Sequence, residues 1–142
     1  ESLAIWTSVE QDPVQAEAWL APMVQRGTAL VAHVDGRPQK IVGFAVAGAW
    51  HSYEGYARTV EDSIYLSPAA QGHGLGSRLL AALIEASRAA GDRTMIALVE
   101  AGNVTSVRLH ERYGFTIVGT VPQAGEKLGQ LLDLTLMSRS LH

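Results

Sequence analysis

The sequence predicts an α/β fold, in which a mixed sheet carries helices on its faces. Strand-like runs alternate with helical patterns in the middle of the chain, and such strand–helix–strand passages favour parallel pairing. Hairpin-like patterns towards both ends favour antiparallel pairing. The chain has 142 residues, of which 47% are hydrophobic. This is enough apolar material for one packed domain and too much for a disordered chain.

The first third of the chain predicts a helix followed by a β-hairpin. Asp12-Pro13 is a typical helix start, because Asp caps the first turn and Pro has no N–H to lose at the first helical position. Gly27 ends this helix. The apolar runs Ala29–Val34 and Ile41–Trp50 flank the turn-forming residues Asp35–Pro38, which predicts two antiparallel strands.

The remainder alternates strands and helices before it ends in two strands. Val60–Leu66 is a β-prone run, and a loop separates it from the helix Leu75–Ala90, whose leucines recur on one face until Gly91. The later predicted elements are the strand Thr94–Val99, the helix Asn103–Arg112, and the strands Phe115–Val121 and Leu131–Met137, joined by a polar loop.

Composition and charge exclude several classes of protein. The 11 Lys and Arg residues against 14 Asp and Glu residues lack the basic excess of a general nucleic-acid binder. The absence of cysteine excludes disulfide scaffolds, zinc ribbons and cysteine nucleophiles. No apolar run approaches the ~20 residues that span a bilayer. We therefore expect a cytoplasmic protein with no metal site, no membrane partner and no nucleic-acid partner.

A glycine-rich loop joins the third predicted strand to the longest helix. Alternating glycines in Gln71-Gly72-His73-Gly74-Leu75-Gly76 let the backbone approach a ligand closely. The free N–H groups and the dipole of the following helix favour an anion, such as a diphosphate. The spacing fits neither the Walker nor the dinucleotide loop, because Ser77 occupies a position that both patterns reserve for another residue. A glycine-rich turn without a ligand is the alternative.

The wider context of this loop resembles a known family. The stretch Ile64–Pro68 followed by Gln71–Gly76 resembles the acyl-CoA-binding motif of the GNAT acetyltransferase superfamily. Asn103, Ser106 and Leu109–Phe115 resemble its second signature helix. Further similarities to the phosphinothricin and methionine sulfoximine N-acetyltransferase branch lie at Ala4–Trp6, Trp50, Glu54–Tyr56, Thr59–Glu61, Ser106–His110 and Pro122–Leu134.

This resemblance implies a mostly antiparallel, twisted sheet with helices on both faces. It also implies an acetyl-CoA-dependent N-acetyltransferase that works by direct attack of a primary amine, such as that of an amino acid or glutamate analogue, and that forms a homodimer. The family's first strand and helix would lie upstream of Glu1, so we expect residues 1–142 to be one N-terminally truncated domain. A cationic amine or a protein N-terminus as acceptor, and a non-catalytic acyl-CoA sensor, remain alternatives.

The resemblance assigns two catalytic residues. Glu61 corresponds to the general base, acting through a water, and we expect burial beside Asp62 to raise its pKa. The alternative is a strand-end carboxylate that faces solvent or pairs with Arg58, and Asp62 fits this alternative better than Glu61. His110 stands where the family protonates the departing thiolate. Its alternative role is that of a helix histidine packed under the sheet and hydrogen-bonded to a carbonyl.

The resemblance also implies the binding residues. Backbone N–H groups of the third strand would pair with the pantetheine amides as an added strand, and one would polarise the thioester carbonyl. Asn103 would share its amide between capping a helix and binding pantetheine. The implied cofactor contacts are Ile64, Tyr65, Leu66, Gln71, Gly72, His73, Gly74, Leu75, Gly76, Ser77, Asn103 and Ser106. The acceptor contacts are Trp50, His51, Tyr56, Arg58 and Lys127, of which the two cations suit a carboxylate.

Overall fold

The computed structural model describes residues 13–142, and over this range six strands form one sheet with three α-helices. The predicted helix cap Asp12 and the segment Ala4–Trp6 lie outside the described residues. The elements are α1 (Pro13–Arg26), β1 (Ala29–Val34), β2 (Arg37–Ala49), β3 (Thr59–Leu66), α2 (Leu75–Ala89), β4 (Thr94–Glu100), α3 (Val104–Arg112), β5 (Thr116–Lys127) and β6 (Gln130–Ser140).

The sheet has the strand order β1-β2-β3-β4-β6-β5. β3 and β4 pair in parallel, and each of the other four neighbouring pairs is antiparallel. α2 makes the crossover that a parallel pair requires. The predicted mixed and mostly antiparallel sheet is therefore confirmed.

The helices cover both faces of this sheet. A Cβ added to Gly48 on β2 would lie 3.0 Å from Met23 Sδ on α1, whereas one added to Gly43 would lie 3.4 Å from Leu79 on α2. Successive strand residues face opposite sides, so an odd and an even position on β2 belong to different faces. α1 therefore packs on one face and α2 on the other. No helix among residues 13–142 is long and apolar enough to cross a membrane.

The core lies between α2 and the sheet. Leu79 and Leu83 are buried, as the predicted leucine face of α2 requires, while Leu75 is only partly buried. Small residues on the strands leave room for the leucines of the helix, in the close packing that protein interiors show. The buried core residues are Ala45, Ala47, Val60, Leu79, Leu80, Leu83, Ile84, Met95, Ala97, Val99, Phe115, Met137 and Leu141.

Two predicted loops are wrong. Arg37 and Pro38 belong to β2 rather than to a turn, because Gly36 alone supplies the left-handed conformation (φ 74°) that the hairpin needs. The polar loop predicted before Leu131 is mostly strand. A bulge between Val121 and Gly125 absorbs the residues that read as turn-formers, so β5 continues to the end of the hairpin.

The extension of β5 changes the position of Lys127. The sequence places this residue in a late loop, but it is the last residue of β5 and is buried, with 9% of its surface exposed. The hairpin turns instead at Leu128 and Gly129, which both have positive φ, 54° and 75°. Two consecutive left-handed residues are typical of a tight two-residue hairpin turn.

Candidate active site

β3 and β4 separate part of the way along the sheet. Within residues 13–142 their pairing covers three positions, and the last is Glu61 opposite Ile96. Beyond it, β3 continues to Leu66 paired only with β2, while β4 continues to Glu100 paired only with β6. A split therefore opens between two strands that are each held on their outer side. We call this opening the β3–β4 split.

Backbone hydrogen-bonding groups of β3 face this split. The Trp50 N–H donates to the Thr59 carbonyl at 3.1 Å, which directs the odd-numbered residues of β3 towards β2. Ladder bonds alternate in direction along a strand, so the N–H and C=O groups of Ile64 and Leu66 point into the split. The main chain of Tyr65 is directed to β2, and its ring stacks on Phe44 with a centroid distance of 5.6 Å.

The glycine-rich loop lies where β3 leads into α2, at the open end of the split. Gly72 and Gly74 have positive φ, 82° and 77°, and an added Cβ at either would meet no protein atom within 4 Å. Glycine is therefore needed for the backbone conformation and not for packing. The first helical bond runs from the Arg78 N–H to the Gly74 carbonyl at 3.2 Å.

The N-terminus of α2 suits an anion. The N–H groups that precede Arg78 in the helix have no acceptor within it. Gly74 offers no side-chain cap, and the first turn holds no acidic residue. Gln71 and His73 are exposed beside these donors, and Ser77 is partly buried. This arrangement of donors and helix dipole fits a diphosphate.

Glu61 occupies the vertex of the split. It is partly buried and lies opposite Gly48, on the face of the sheet that α1 covers. Burial raises the pKa of the Glu61 carboxyl above its ordinary value, and the neighbouring charge of Asp62 raises it further. The pKa shift expected from the sequence is thus confirmed.

Asp62 has a different environment from the one expected. Its side chain lies on the opposite face of β3 and is buried, with 8% of the residue exposed. Its Oδ2 lies 2.9 Å from Nε2 of His110 on α3. The prediction that Asp62 faces solvent or pairs with Arg58 is therefore wrong. Val60 and Ile64 are apolar and share a face of the strand with Asp62. This alternation could have revealed a carboxylate on the core face.

His110 is held at both ring nitrogens. Nδ1 lies 2.7 Å from the Ser106 carbonyl oxygen and Nε2 contacts Asp62, while the ring meets Phe115 edge-on at 4.9 Å. Burial opposes the charged form, but the hydrogen bond and the charge of Asp62, helped by the Ser106 carbonyl, outweigh it and raise the pKa of His110. The alternative of a buried, carbonyl-bonded histidine is confirmed. Its proton-donating role stays a prediction.

Asn103 caps α3, as expected. Its Oδ1 accepts a hydrogen bond from the Ser106 N–H at 3.2 Å. Both residues are partly buried at the start of the helix whose later turn carries His110. The cap and the histidine therefore converge on Ser106, one at its N–H and the other at its carbonyl.

Three predicted acceptor residues form one aromatic cluster. The Trp50 and His51 rings meet edge-on with centroids 5.1 Å apart, and the His51 and Tyr56 rings lie 5.4 Å apart. The cluster follows the end of β2, beside the start of β3, so it lies near Glu61 in the sheet register. Among residues 13–142, no group of three or more His, Asp or Glu side chains could hold a metal ion.

The structure does not bring the two predicted cations together. Arg58 precedes the first pair of β3 and β4 and lines an open depression of about 430 Å³ with Arg93 and Glu54. Lys127 pairs with Gln130, which lies beyond the last paired residue of β4 at the other end of the sheet. One carboxylate could therefore not use both cations.

Comparison with known proteins agrees with this geometry. The sequence model of the acetyltransferase (GNAT) family matches residues 3–115. The L-methionine sulfoximine/L-methionine sulfone acetyltransferase of Pseudomonas aeruginosa is 41% identical over 138 residues, which cover 97% of this chain and 80% of that protein. The phosphinothricin N-acetyltransferase of Streptomyces coelicolor is 34% identical over 130 residues, covering 91% of this chain and 76% of that protein.

A solved structure is also similar. The structure of yncA from Salmonella typhimurium with its cofactor acetyl-CoA has a TM-score of 0.91 and 39% sequence identity, and the match covers 99% of this chain and 80% of that one. The chain therefore belongs to the GNAT acetyltransferase family. Its resemblance to the methionine sulfoximine and phosphinothricin branch is confirmed, and so is the expectation of an N-acetyltransferase.

Proposed function

We propose that this protein transfers the acetyl group of acetyl-CoA to the primary amine of an amino acid or a glutamate analogue, of which methionine sulfoximine and phosphinothricin are the models. The relatives named above act on such acceptors, and yncA binds acetyl-CoA. The observation that carries the proposal is the position of Glu61. A carboxyl with a raised pKa lies at the vertex of a strand split whose other end is a helix N-terminus with uncapped N–H groups, which suits an anion.

Acetyl-CoA fits the backbone groups along the split. The pantetheine amides add to β3 as an extra strand through Ile64 and Leu66. The diphosphate lies on the N–H groups of Leu75–Ser77, with Gly72 and Gly74 giving close approach and Gln71 and His73 at the rim. Asn103 and Ser106 contact the pantetheine arm from α3. Tyr65 contributes its side chain only, because its main chain is directed to β2.

Glu61 acts on the attacking amine. It accepts a proton through a water as the amine nitrogen forms its bond to the thioester carbonyl carbon. A backbone N–H of β3 donates to the oxygen that becomes negative. The carbon–sulfur bond then breaks, and CoA leaves as a thiolate that takes a proton from water; His110, the donor that the resemblance implies, is the alternative source of this proton. The proton on Glu61 returns to solvent, so the base is ready for another turnover.

The aromatic cluster and one cation define the acceptor pocket. Trp50, His51 and Tyr56 form a wall near Glu61. Arg58 and Lys127 are the cations proposed for the acceptor's acidic group, and they lie at opposite ends of the split. Arg58→Gln and Lys127→Gln distinguish them, since only the variant that removes the true contact raises KM for the amino acid by about tenfold or more.

We also propose a homodimer in the cytoplasm, where acetyl-CoA is a common metabolite. Support for self-association comes from apolar side chains of β5 and β6 that are about half exposed, Ile117, Val118 and Leu131 among them. Light scattering coupled to gel filtration measures the mass in solution. A mass of two chains supports this assembly, and a mass of one chain at micromolar concentration contradicts it.

Thiol release from acetyl-CoA over a panel of amines tests the function. We expect turnover with methionine sulfoximine, methionine sulfone or phosphinothricin, and a large loss in the Glu61→Gln variant. Turnover only with polyamines or with peptide N-termini would move the acceptor to another class. CoA binding without turnover on any amine would identify a sensor and contradict the enzyme.

A further inference from the structure

The only His–carboxylate pair buried among residues 13–142 lies on the face of the sheet away from Glu61. We propose that Asp62 is a positioning residue, which holds β3 at a fixed separation from α3 through His110 and so places the amides that receive acetyl-CoA. This proposal rests on the function proposed above. We call the contact between Asp62 and His110 the strut.

The strut lies where β3 loses its neighbour. Glu61 is the last residue of β3 that pairs with β4, and Asp62 is the next residue along the strand. The main chain of β3 is therefore held from β2 alone beyond this point. The 2.9 Å contact from Asp62 to His110 replaces the missing lateral support with a side-chain tie to α3.

The contacts of His110 require a charged ring. The Asp62 carboxylate on β3 and the Ser106 carbonyl on α3 are both acceptors, so each ring nitrogen donates a hydrogen. Phe115, after α3, contributes only its ring. An imidazolium between two acceptors makes charge-assisted bonds, which are shorter and stronger than neutral ones. With both hydrogens engaged and 4% of the residue exposed, His110 is suited to holding the structure.

The strut connects the two walls of the cofactor site. His110 holds the carbonyl of Ser106, and Asn103 holds the N–H of the same residue. Asp62 is thus linked through His110 to the turn of α3 that carries both proposed pantetheine contacts. Ile64 and Leu66, on the other wall, follow Asp62 on the same strand. A change at Asp62 therefore alters the spacing between these walls without removing any atom that contacts acetyl-CoA.

The test compares two buried carboxylates. Asp62→Ala and Asp62→Asn remove or neutralise the strut, and Asn retains an acceptor oxygen. Asp92→Ala is the matched control. Asp92 precedes β4 in the chain, is also buried, and pairs with Arg26 of α1 rather than with α3. The measurements are KM for acetyl-CoA, the Kd of CoA, KM for the amine, kcat, the melting temperature, and hydrogen exchange of the β3 amides without ligand.

We expect Asp62→Ala to raise KM for acetyl-CoA and the Kd of CoA by about tenfold or more. The values for Asp62→Asn should lie between those of the wild type and of Asp62→Ala. The amine KM should change by no more than about twofold. The amides of β3 beyond Asp62 should exchange faster. Asp92→Ala should lower the melting temperature while KM stays within about twofold of the wild type.

Two outcomes overturn the proposal: one removes the positioning role alone, and the other removes the proposed function as well. If the wild type binds CoA and Asp62→Ala merely melts earlier, as Asp92→Ala does, with its KM and β3 exchange unchanged, the pair has a structural role only. If the wild type neither binds CoA nor turns over any amine, the function fails and the positioning role fails with it. Should Asp62→Ala not fold, Asp62→Asn decides the same question.

Discussion

Glu61 and Asp62 are neighbours on β3, yet they point to opposite faces of the sheet and have opposite environments. Glu61 is partly buried at the vertex of the β3–β4 split, while Asp62 is buried against His110. The strand thereby separates the carboxylate that we propose as the proton acceptor from the one that we propose to position the backbone. The negative charge of Asp62 still raises the pKa of Glu61, so the two roles are electrostatically coupled.

The Glu61→Gln variant should lose activity while it retains the cofactor. Glutamine has the shape of glutamate but cannot accept the proton of the amine, so we expect kcat to fall by about 10²–10⁴-fold. The Kd of CoA should stay within about twofold, because no backbone donor changes. Steady-state kinetics and calorimetry measure both. Activity close to that of the wild type would remove Glu61 from the mechanism.

The same substitution should stabilise the fold at neutral pH. The pKa of Glu61 is raised in the folded protein, so the folded state binds its proton more tightly than the unfolded state does. This contribution to stability is present below the ordinary value of 4.5 and is lost as pH rises through the folded value. At pH 7 the charged carboxylate is unfavourable, and glutamine removes it. Melting temperatures should favour Glu61→Gln at pH 7, with the gap closing near pH 4.

The stabilisation that the strut gives the folded protein should decrease as pH rises. The folded pKa of His110 lies above its ordinary 6.5, so its stabilisation is complete below that value and is lost as pH rises through the folded pKa. Breaking a buried pair by removing one partner costs about 3–5 kcal/mol. The free energy of unfolding should therefore separate wild type from Asp62→Ala most strongly near pH 6 and less at alkaline pH. A gap that grows with pH would contradict a charged His110.

A pair of glycine variants tests the diphosphate loop. Gly74 and Gly36 both have positive φ, 77° and 74°, and an added Cβ at either meets no protein atom within 4 Å. Ala at each position should therefore cost a similar ~1 kcal/mol of backbone strain. Only Gly74→Ala and the bulkier Gly74→Val should also weaken CoA binding, since we propose the diphosphate at that loop and not at Gly36. Equal CoA affinity in the Gly74 and Gly36 variants would show that the diphosphate lies elsewhere.

Local signals predicted most of the fold. The turn at Gly36, the cap at Asn103 and the leucine face of α2 each act within a few residues, so the elements they define could be placed from the sequence. Lys127 could not be placed from the sequence. The bulge in β5 is fixed by pairing with β6, and the sequence of that strand alone resembles a loop.

The candidate site also has a part that the sequence could predict and a part that it could not. The motif that includes Glu61 and the glycine-rich loop is continuous in the sequence, so the resemblance could assign it. The partner of Asp62 lies 48 residues away on another element, and no local pattern reports such a contact. Alternation along β3 could have placed Asp62 on the apolar face, where we had expected a solvent-facing or Arg58-paired carboxylate, but the identity of its partner required the fold.

A crystal structure with acetyl-CoA bound would show where the coenzyme lies relative to Glu61. We predict diphosphate oxygens within about 2.7–3.2 Å of the N–H groups at the start of α2, pantetheine lying along β3 beyond Glu61, and the acetyl group next to that carboxylate. Coenzyme bound elsewhere, with the Gly72–Ser77 loop vacant or the thioester distant from Glu61, would contradict the proposed site.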